Sequence, residues 1–272
     1  MNLGRTLLFS PGDHERRVER ALTSPAATVV LDLEDGAADG AAKEAGRATI
    51  ARALPAARRR GVFVRINATG TADQAADLTA LAPVLDRVDG IVLPKAETRG
   101  EVDDLPGDLP VLPVVETPAG LLAAAEIATS PRAVGLILGV LDLAAELGVD
   151  PVTGLDHARA HLTVAARAAG LPGPVDGPYP DLDDEDGLAR SSRRSRAAGY
   201  SGRVVLHPRQ IPVVERAYAP TQVEIAHARQ IVAAAGKGSG SLRLPNGTFV
   251  DKPVITRAQA LLAEAGEGHA SA

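Results

Sequence analysis

The sequence predicts an α/β fold, a (β/α)8 TIM barrel with a C-terminal helical and hairpin extension. Three observations carry that expectation. Short apolar runs recur along the chain, each leading through a polar or Gly/Pro-bearing turn into an amphipathic Ala/Leu/Arg-rich stretch. The runs start roughly 20 to 40 residues apart, the length of one strand-plus-helix unit. Eight such units fit a chain of 272 residues, and no Gly-x-Gly-x-x-Gly follows the first run, which counts against a dinucleotide-binding sheet. An open doubly wound sheet is the alternative that the same alternation allows.

Strands are expected over 6–9, 28–33, 62–66, 90–93, 111–115 and 134–138, with weaker runs at 174–175 and 203–206. They are continuous in Val, Leu and Ile, as strands buried on both faces require. Apolar residues at helical period place helices over 15–22, 41–54, 73–85, 121–128 and 155–169. After Leu206 the pattern changes. His207-Pro208-Arg209-Gln210 leads to a helix over 222–235, and Gly236-Lys237-Gly238-Ser239-Gly240-Ser241 reads as a linker. Residues 242–251 read as a hairpin turning at Asn246-Gly247, and a last helix covers 255–265. The expected organisation is a catalytic barrel over 1–220 and an extension over 221–272 that serves as a lid or an arm contacting a neighbouring subunit.

Composition narrows the function. Basic and acidic residues number 29 and 34, a formal charge of -5, so no global positive field attracts nucleic acid. Three Phe, three Tyr and no Trp leave few platforms for base stacking. The absence of Cys excludes a disulfide scaffold, a thiolate metal site and a cysteine nucleophile. No apolar run reaches about 18 residues, and Thr6-Leu7-Leu8-Phe9 is too short for a signal peptide. The expectation is a cytoplasmic protein that binds no membrane, in which Asn67-Ala68-Thr69 and Asn246-Gly247-Thr248 are chance glycosylation tripeptides.

Barrel chemistry sits where strands end, so the polar residues after each apolar run are the candidates. They are Asp32, Glu34 and Asp35 after the second run, Arg65 and Asn67 after the third, Lys95 after the fourth and Glu116 after the fifth. Asp142, Asp176 and His207 follow the last three. Glu116 and Asp142 would converge on one mouth, where two carboxylates completed by water and substrate make a Mg2+ site. Either acid can instead cap the following helix or pair with an Arg. Arg65 suits bidentate contact with a substrate carboxylate, or an ion pair with Glu34 or Asp35. Lys95 is read as an ion-pair partner, with a Schiff-base amine as the alternative. Asp32 alternates with Leu31 and Leu33 and faces the barrel interior in a structural or catalytic role. His207 serves acid/base chemistry or anchors the last loop.

Other features have bland readings. His157 and His161, four apart, lie on a predicted helix without the following acid of a metalloprotease motif. Arg58-Arg59-Arg60 and the basic run over 190–196 are solvated helix ends, with contact to phosphates as the lesser alternative. The acidic stretch over 181–186 lacks the spacing of a Ca2+ loop.

The strand-end strings resemble the citrate lyase beta-subunit-like (CitE-like) family of the HpcH/HpaI aldolase superfamily. They are Leu7-Leu8-Phe9-Ser10-Pro11-Gly12-Asp13, Leu31-Asp32-Leu33-Glu34-Asp35-Gly36, Val64-Arg65-Ile66-Asn67 and Leu93-Pro94-Lys95-Ala96-Glu97. Val115-Glu116-Thr117, Leu206-His207-Pro208-Arg209-Gln210 and Val250-Asp251-Lys252-Pro253-Val254 complete the set. The resemblance spans nearly the whole chain in order. It implies a Mg2+-dependent carbon–carbon lyase of retro-Claisen or aldol type. The implied substrate is a hydroxyacyl-CoA such as citramalyl-CoA or malyl-CoA, which gives acetyl-CoA and a 2-oxo acid. It further implies Glu116 and Asp142 as metal ligands, with Glu116 also against the substrate, and Arg65 as the carboxylate-binding residue. Asp251 is implied as an acid/base supplied across a subunit interface, in a homo-oligomer expected to be a trimer. Asp32, Glu34, Asp35 and Lys95 would orient these groups.

The chain also departs from its relatives. Ala119 stands where they carry an Arg, Leu141 where they carry an acid beside the metal ligand, and His14 where an Arg is frequent near the CoA entrance. A malyl-CoA thioesterase or synthase, a CoA-independent 2-oxo acid aldolase and a non-catalytic CoA-binding subunit are the alternatives.

Overall fold

The computed structural model describes residues 1–36, 40–236 and 242–266. Its strands are β1 (Thr6–Pro11), β2 (Thr28–Asp32), β3 (Val62–Arg65), β4 (Gly90–Leu93), β5 (Val111–Val115), β6 (Ile137–Leu138), β7 (Val175–Asp176) and β8 (Gly202–Val205). They pair in sequence order, all parallel, and β8 returns to β1 to close the barrel. The expected (β/α)8 architecture is therefore the observed one.

Helices follow the strands: α1 (Glu15–Leu22), α2 (Ala41–Ala53), α3 (Ala72–Leu81), α4 (Arg99–Asp103), α5 (Pro118–Ala128), α6 (Val140–Leu147), α7 (Asp156–Ala168), α8 (Glu185–Ala197) and α9 (Ile211–Tyr218). Their starts have local causes. Thr71 caps α3, Thr98 and Glu101 form a capping box on α4, and Thr117 caps α5 just ahead of Pro118. The expected helix over 73–85 ends at Leu81 and tightens into a 3-10 segment, Ala82–Arg87, with Pro83 near its start.

Two apolar cores follow from strand alternation. Residues of one parity, among them Leu8, Val29, Leu31, Val64 and Val115, pack outward against the helices. Residues of the other parity fill the barrel: Leu7, Val30, Phe63, Val92, Val114, Ile137, Val175 and Val204. Phe63 is the large member of this set. Gly90 makes room for it, since a Cβ there would lie 2.4 Å from the Phe63 ring.

Alternation also corrects one expectation. Asp176 does not reach the barrel mouth. It directly follows inward-facing Val175, so it points outward, opposite Arg203 in the β7–β8 register. There it is fully buried, ion-paired with Arg203 and with Arg159 of α7. Strand β6 is likewise shorter than the expected 134–138, and Asp142 lies in the first turn of α6 rather than at a strand end.

The chain divides into two compact units, Met1–Tyr218 and Ala219–Ala272. The second comprises α10 (Gln222–Ala235), an antiparallel pair of β9 (Leu242–Arg243) and β10 (Phe249–Val250), and α11 (Lys252–Glu264). Its own core gathers Ala228, Ile231, Leu244, Val250 and Ala258. Gly247, at φ 91°, supplies the left-handed residue of the expected Asn-Gly turn. Of the expected linker, residues 237–241 lie outside the described residues. No helix among the described residues is long and apolar enough to cross a membrane.

Candidate active site

Two residues beyond each inward-facing core residue the same parity delivers the side chains of the barrel mouth. Leu7, Val30, Phe63 and Val114 are followed in this way by Phe9, Asp32, Arg65 and Glu116. A cavity of about 760 Å³ opens there, lined by these four together with Asp35, Asp142 and His207. Glu34, on the parity of Asp32, and Lys95 join them through ion pairs.

Arg65 sits opposite Asp32 in the β2–β3 register and binds it through two parallel bonds. Its Nε donates to Oδ1 at 2.7 Å and its Nη2 to Oδ2 at 2.6 Å. Nη1 lies 2.7 Å from Glu34 Oε2 and 3.4 Å from Asp35. The Phe9 ring lies beneath the guanidinium at 5.3 Å. Burial opposes the cation, but Asp32, Glu34 and Asp35 outweigh it and hold Arg65 above its ordinary pKa. Asp32 is fixed in turn by the backbone N–H groups of Glu34 and Gly36. The ion pairs weighed for Arg65 are thus present, and Asp32 is a stronger partner than either Glu34 or Asp35.

Glu116 is 2% exposed. Its Oε1 accepts the backbone N–H of Lys95 at 2.8 Å, and Lys95 Nζ donates to Glu34 Oε1 at 2.5 Å. Burial pushes the Glu116 carboxyl up to about 8, reinforced by the charges of Glu34 and Asp142 and opposed by Lys95. Burial likewise raises Glu34 against the pull of Arg65 and Lys95. Lys95 is raised as well: burial opposes its charge, but the bond to Glu34 and the nearby Glu116 and Asp35 prevail. A protonated, raised amine of this kind does not act as a Schiff-base nucleophile at neutral pH.

Five carboxyl groups, Asp32, Glu34, Asp35, Glu116 and Asp142, thus gather around two cations, Arg65 and Lys95. The excess of acid is what a divalent cation would relieve. Gly139 gives Glu116 its space, since a Cβ on it would fall 2.4 Å from Oε2. Among the described residues no three His, Cys, Asp or Glu side chains are arranged to hold a metal. The oxygen pair of Glu116 and exposed Asp142, with room for water and ligand, fits Mg2+, which keeps several non-protein ligands.

The remaining candidates fall elsewhere or serve other ends. His207 lines the cavity, and its Nδ1 accepts the N–H of Arg209, so it anchors the last loop. Asp251 belongs to the second unit, where it caps α11 by accepting the N–H of Val254. His157 and His161 lie on α7, their rings 6.3 Å apart. Arg59 braces the carbonyls of Ser24, Ala26 and Ala27, and Asp184 caps α8. Arg17 and Arg20, three apart on α1, line the cavity where His14 does not. Sequence reasoning passed over them, and over Phe9 and Gly139. The spacing of the two arginines was the available signal.

A family model described as HpcH/HpaI aldolase/citrate lyase matches residues 5–208. A citrate lyase subunit beta-like protein of Mycobacterium tuberculosis is 40% identical over 98% of both chains. A (3S)-malyl-CoA thioesterase of Cereibacter sphaeroides is 33% identical over 96% of this chain and 94% of its own. The structure of protein CitE from M. tuberculosis in complex with magnesium, acetoacetate and coenzyme A superimposes with a TM-score of 0.87 at 38% identity. It covers 97% of this chain and 98% of that one.

Proposed function

The chain belongs to the HpcH/HpaI aldolase/citrate lyase family, and from that premise we propose that it is a Mg2+-dependent carbon–carbon lyase acting on a hydroxyacyl-CoA. The observation that carries this reading is the buried Glu116 carboxyl, gathered with Asp32, Asp142 and Arg65 around one cavity. Glu116 and Asp142 would hold the ion, which when bound would supply Lewis acidity toward the substrate oxygens.

Arg65 binds the carboxylate of the 2-hydroxy acid and stabilises charge that develops as the bond breaks. Asp32, Glu34 and the Phe9 ring hold its guanidinium plane in place, and Lys95 fixes Glu116 through its backbone N–H. In the cleavage direction the 2-hydroxyl passes its proton to the acid/base, for which Asp251 is the candidate, and becomes the carbonyl of the 2-oxo acid. The bond to the carbon beside the thioester breaks, and its electron pair passes into the thioester as an enolate. Return of that proton from the acid/base to the carbon gives acetyl-CoA. Arg17 and Arg20 at the cavity wall offer positive charge to the CoA phosphates.

Asp251 enters as the acid/base on sequence resemblance alone, supplied by another subunit of a homo-oligomer, for which a trimer is the expectation. Mixing inactive Arg65→Ala and Asp251→Ala proteins should restore activity if one active site draws on two chains, and not otherwise.

Mass spectrometry of products from malyl-CoA and citramalyl-CoA tests the reaction. Acetyl-CoA plus a 2-oxo acid supports the lyase. Free CoA plus the hydroxy acid assigns a thioesterase, the activity named for the Cereibacter relative. Turnover of free 2-oxo acids alone assigns a CoA-independent aldolase, and ligand binding without turnover assigns a binding subunit.

A further inference from the structure

Large apolar side chains exposed to solvent are scattered over the described residues, but three of them, Leu141, Leu182 and Leu206, line the one cavity that contains the charged cluster. They are 42%, 38% and 44% exposed. Their placement follows the barrel. The ends of β2, β3, β4 and β5 deliver Asp32, Arg65, Lys95 and Glu116, whereas the segments after β6, β7 and β8 deliver the three leucines. Val140, Pro178 and Pro208 extend the apolar side. The mouth is therefore charged over one half, beyond β2 to β5, and apolar over the other, beyond β6 to β8, save for His207 between Leu206 and Pro208. Arg17 and Arg20 of α1 line the wall beyond β1. Leu141 and Asp142, consecutive in the first turn of α6, stand at the seam.

We propose that this apolar half receives the alkyl substituent of the 2-oxo acid, so that the enzyme selects aliphatic monocarboxylic 2-oxo acids over dicarboxylic ones. The inference rests on the reading above, in which Arg65 and the metal ligands hold the 2-oxo carboxylate end. Fixing that end leaves the substituent to the rest of the mouth. A second carboxylate there loses hydration against leucine and proline and meets a cluster already rich in acid. An alkyl chain gains from the same surface with each methylene buried. Leu141 is the specificity-determining residue, because it adjoins Asp142.

The test is calorimetric binding of pyruvate, 2-oxobutanoate, 2-oxopentanoate and oxaloacetate to the full chain with Mg2+. Affinity should rise about fourfold per added methylene, and oxaloacetate should bind at least about tenfold more weakly than 2-oxobutanoate. Leu141→Ser should flatten the alkyl series, and Leu182→Ser should weaken its longest member. The wild-type series decides even if a variant folds poorly. Oxaloacetate binding as well as 2-oxobutanoate, or no gain along the alkyl series, would overturn the inference while leaving the site reading intact; the apolar half would then belong to the thioester arm or to another chain segment. Failure of every 2-oxo acid to bind would overturn the site reading itself, and this inference with it.

Discussion

Lys95 holds a left-handed backbone conformation, φ 50°, while its N–H donates to Oε1 of Glu116 at 2.8 Å. Among the described residues it is the only non-glycine with positive φ. Such a conformation costs an L-residue about 1–2 kcal/mol and persists where the surroundings over-determine it. Here the same residue fixes two acids, Glu116 through its backbone and Glu34 through its ammonium.

Replacing Lys95 separates these contributions. Lys95→Ala and Lys95→Gly both lose the ammonium, but only glycine is relieved of the strain. Thermal unfolding should place Lys95→Gly about 1 kcal/mol above Lys95→Ala, with both impaired in turnover. Equal melting temperatures would mean that the backbone at this position is not strained.

Gly139→Ala inserts a methyl group against the Glu116 carboxylate. The barrel should survive with a loss of about 1–3 kcal/mol, while Mg2+ affinity falls by an order of magnitude or more. Calorimetric titration with Mg2+ beside a circular dichroism melt measures both. Unchanged metal binding would show that Glu116 can move without consequence.

The Glu116 carboxyl, pushed up to about 8, makes metal binding dependent on pH. An incoming cation displaces the proton, so Mg2+ affinity should rise up to about tenfold per unit toward pH 8 and level off above it. The metal-free fold should respond in the opposite sense. A carboxyl raised on folding contributes stability that is fully present below its unfolded pKa of about 4.5 and is lost as pH rises through about 8. The slope in that window is at most about 1.4 kcal/mol per pH unit. Glu116→Gln should flatten both dependences, as titrations and melts across this range would record.

Asp176 supports the fold rather than the site. Asp176→Asn leaves Arg203 and Arg159 buried beside a neutral amide, which should cost about 3–5 kcal/mol in a denaturant melt. A wild-type melt would show that Ser191 and Ser195, which also accept from Arg203, suffice.

How far the sequence was legible depended on strand length. Continuous apolar runs show where a strand ends but not which way its last residue faces. Arg65 and Glu116 were therefore legible by position, and only Asp32, between Leu31 and Leu33, by alternation as well. Strand β7 is two residues long, too short to show a parity, and Asp176 was placed at the mouth on position alone. Helix α8 escaped because its buried face is Gly187, Leu188, Ser192 and Ser195, which carries almost no apolar stripe. Helix α4, at five residues, is too short to show a helical period. Phe9 beneath Arg65 joins β1 to β3, and Gly139 against Glu116 joins the ends of the neighbouring strands β6 and β5; sheet pairing and curvature create both contacts. No local pattern encodes them.

A crystal structure of the protein with Mg2+ and a 2-oxo acid tests directly whether Glu116 and Asp142 hold the ion. One ion should be bound by a carboxylate oxygen of Glu116 and another of Asp142, with the ligand carboxylate against Arg65. An ion bound elsewhere in the chain, or a ligand held without either carboxylate, would contradict that assignment.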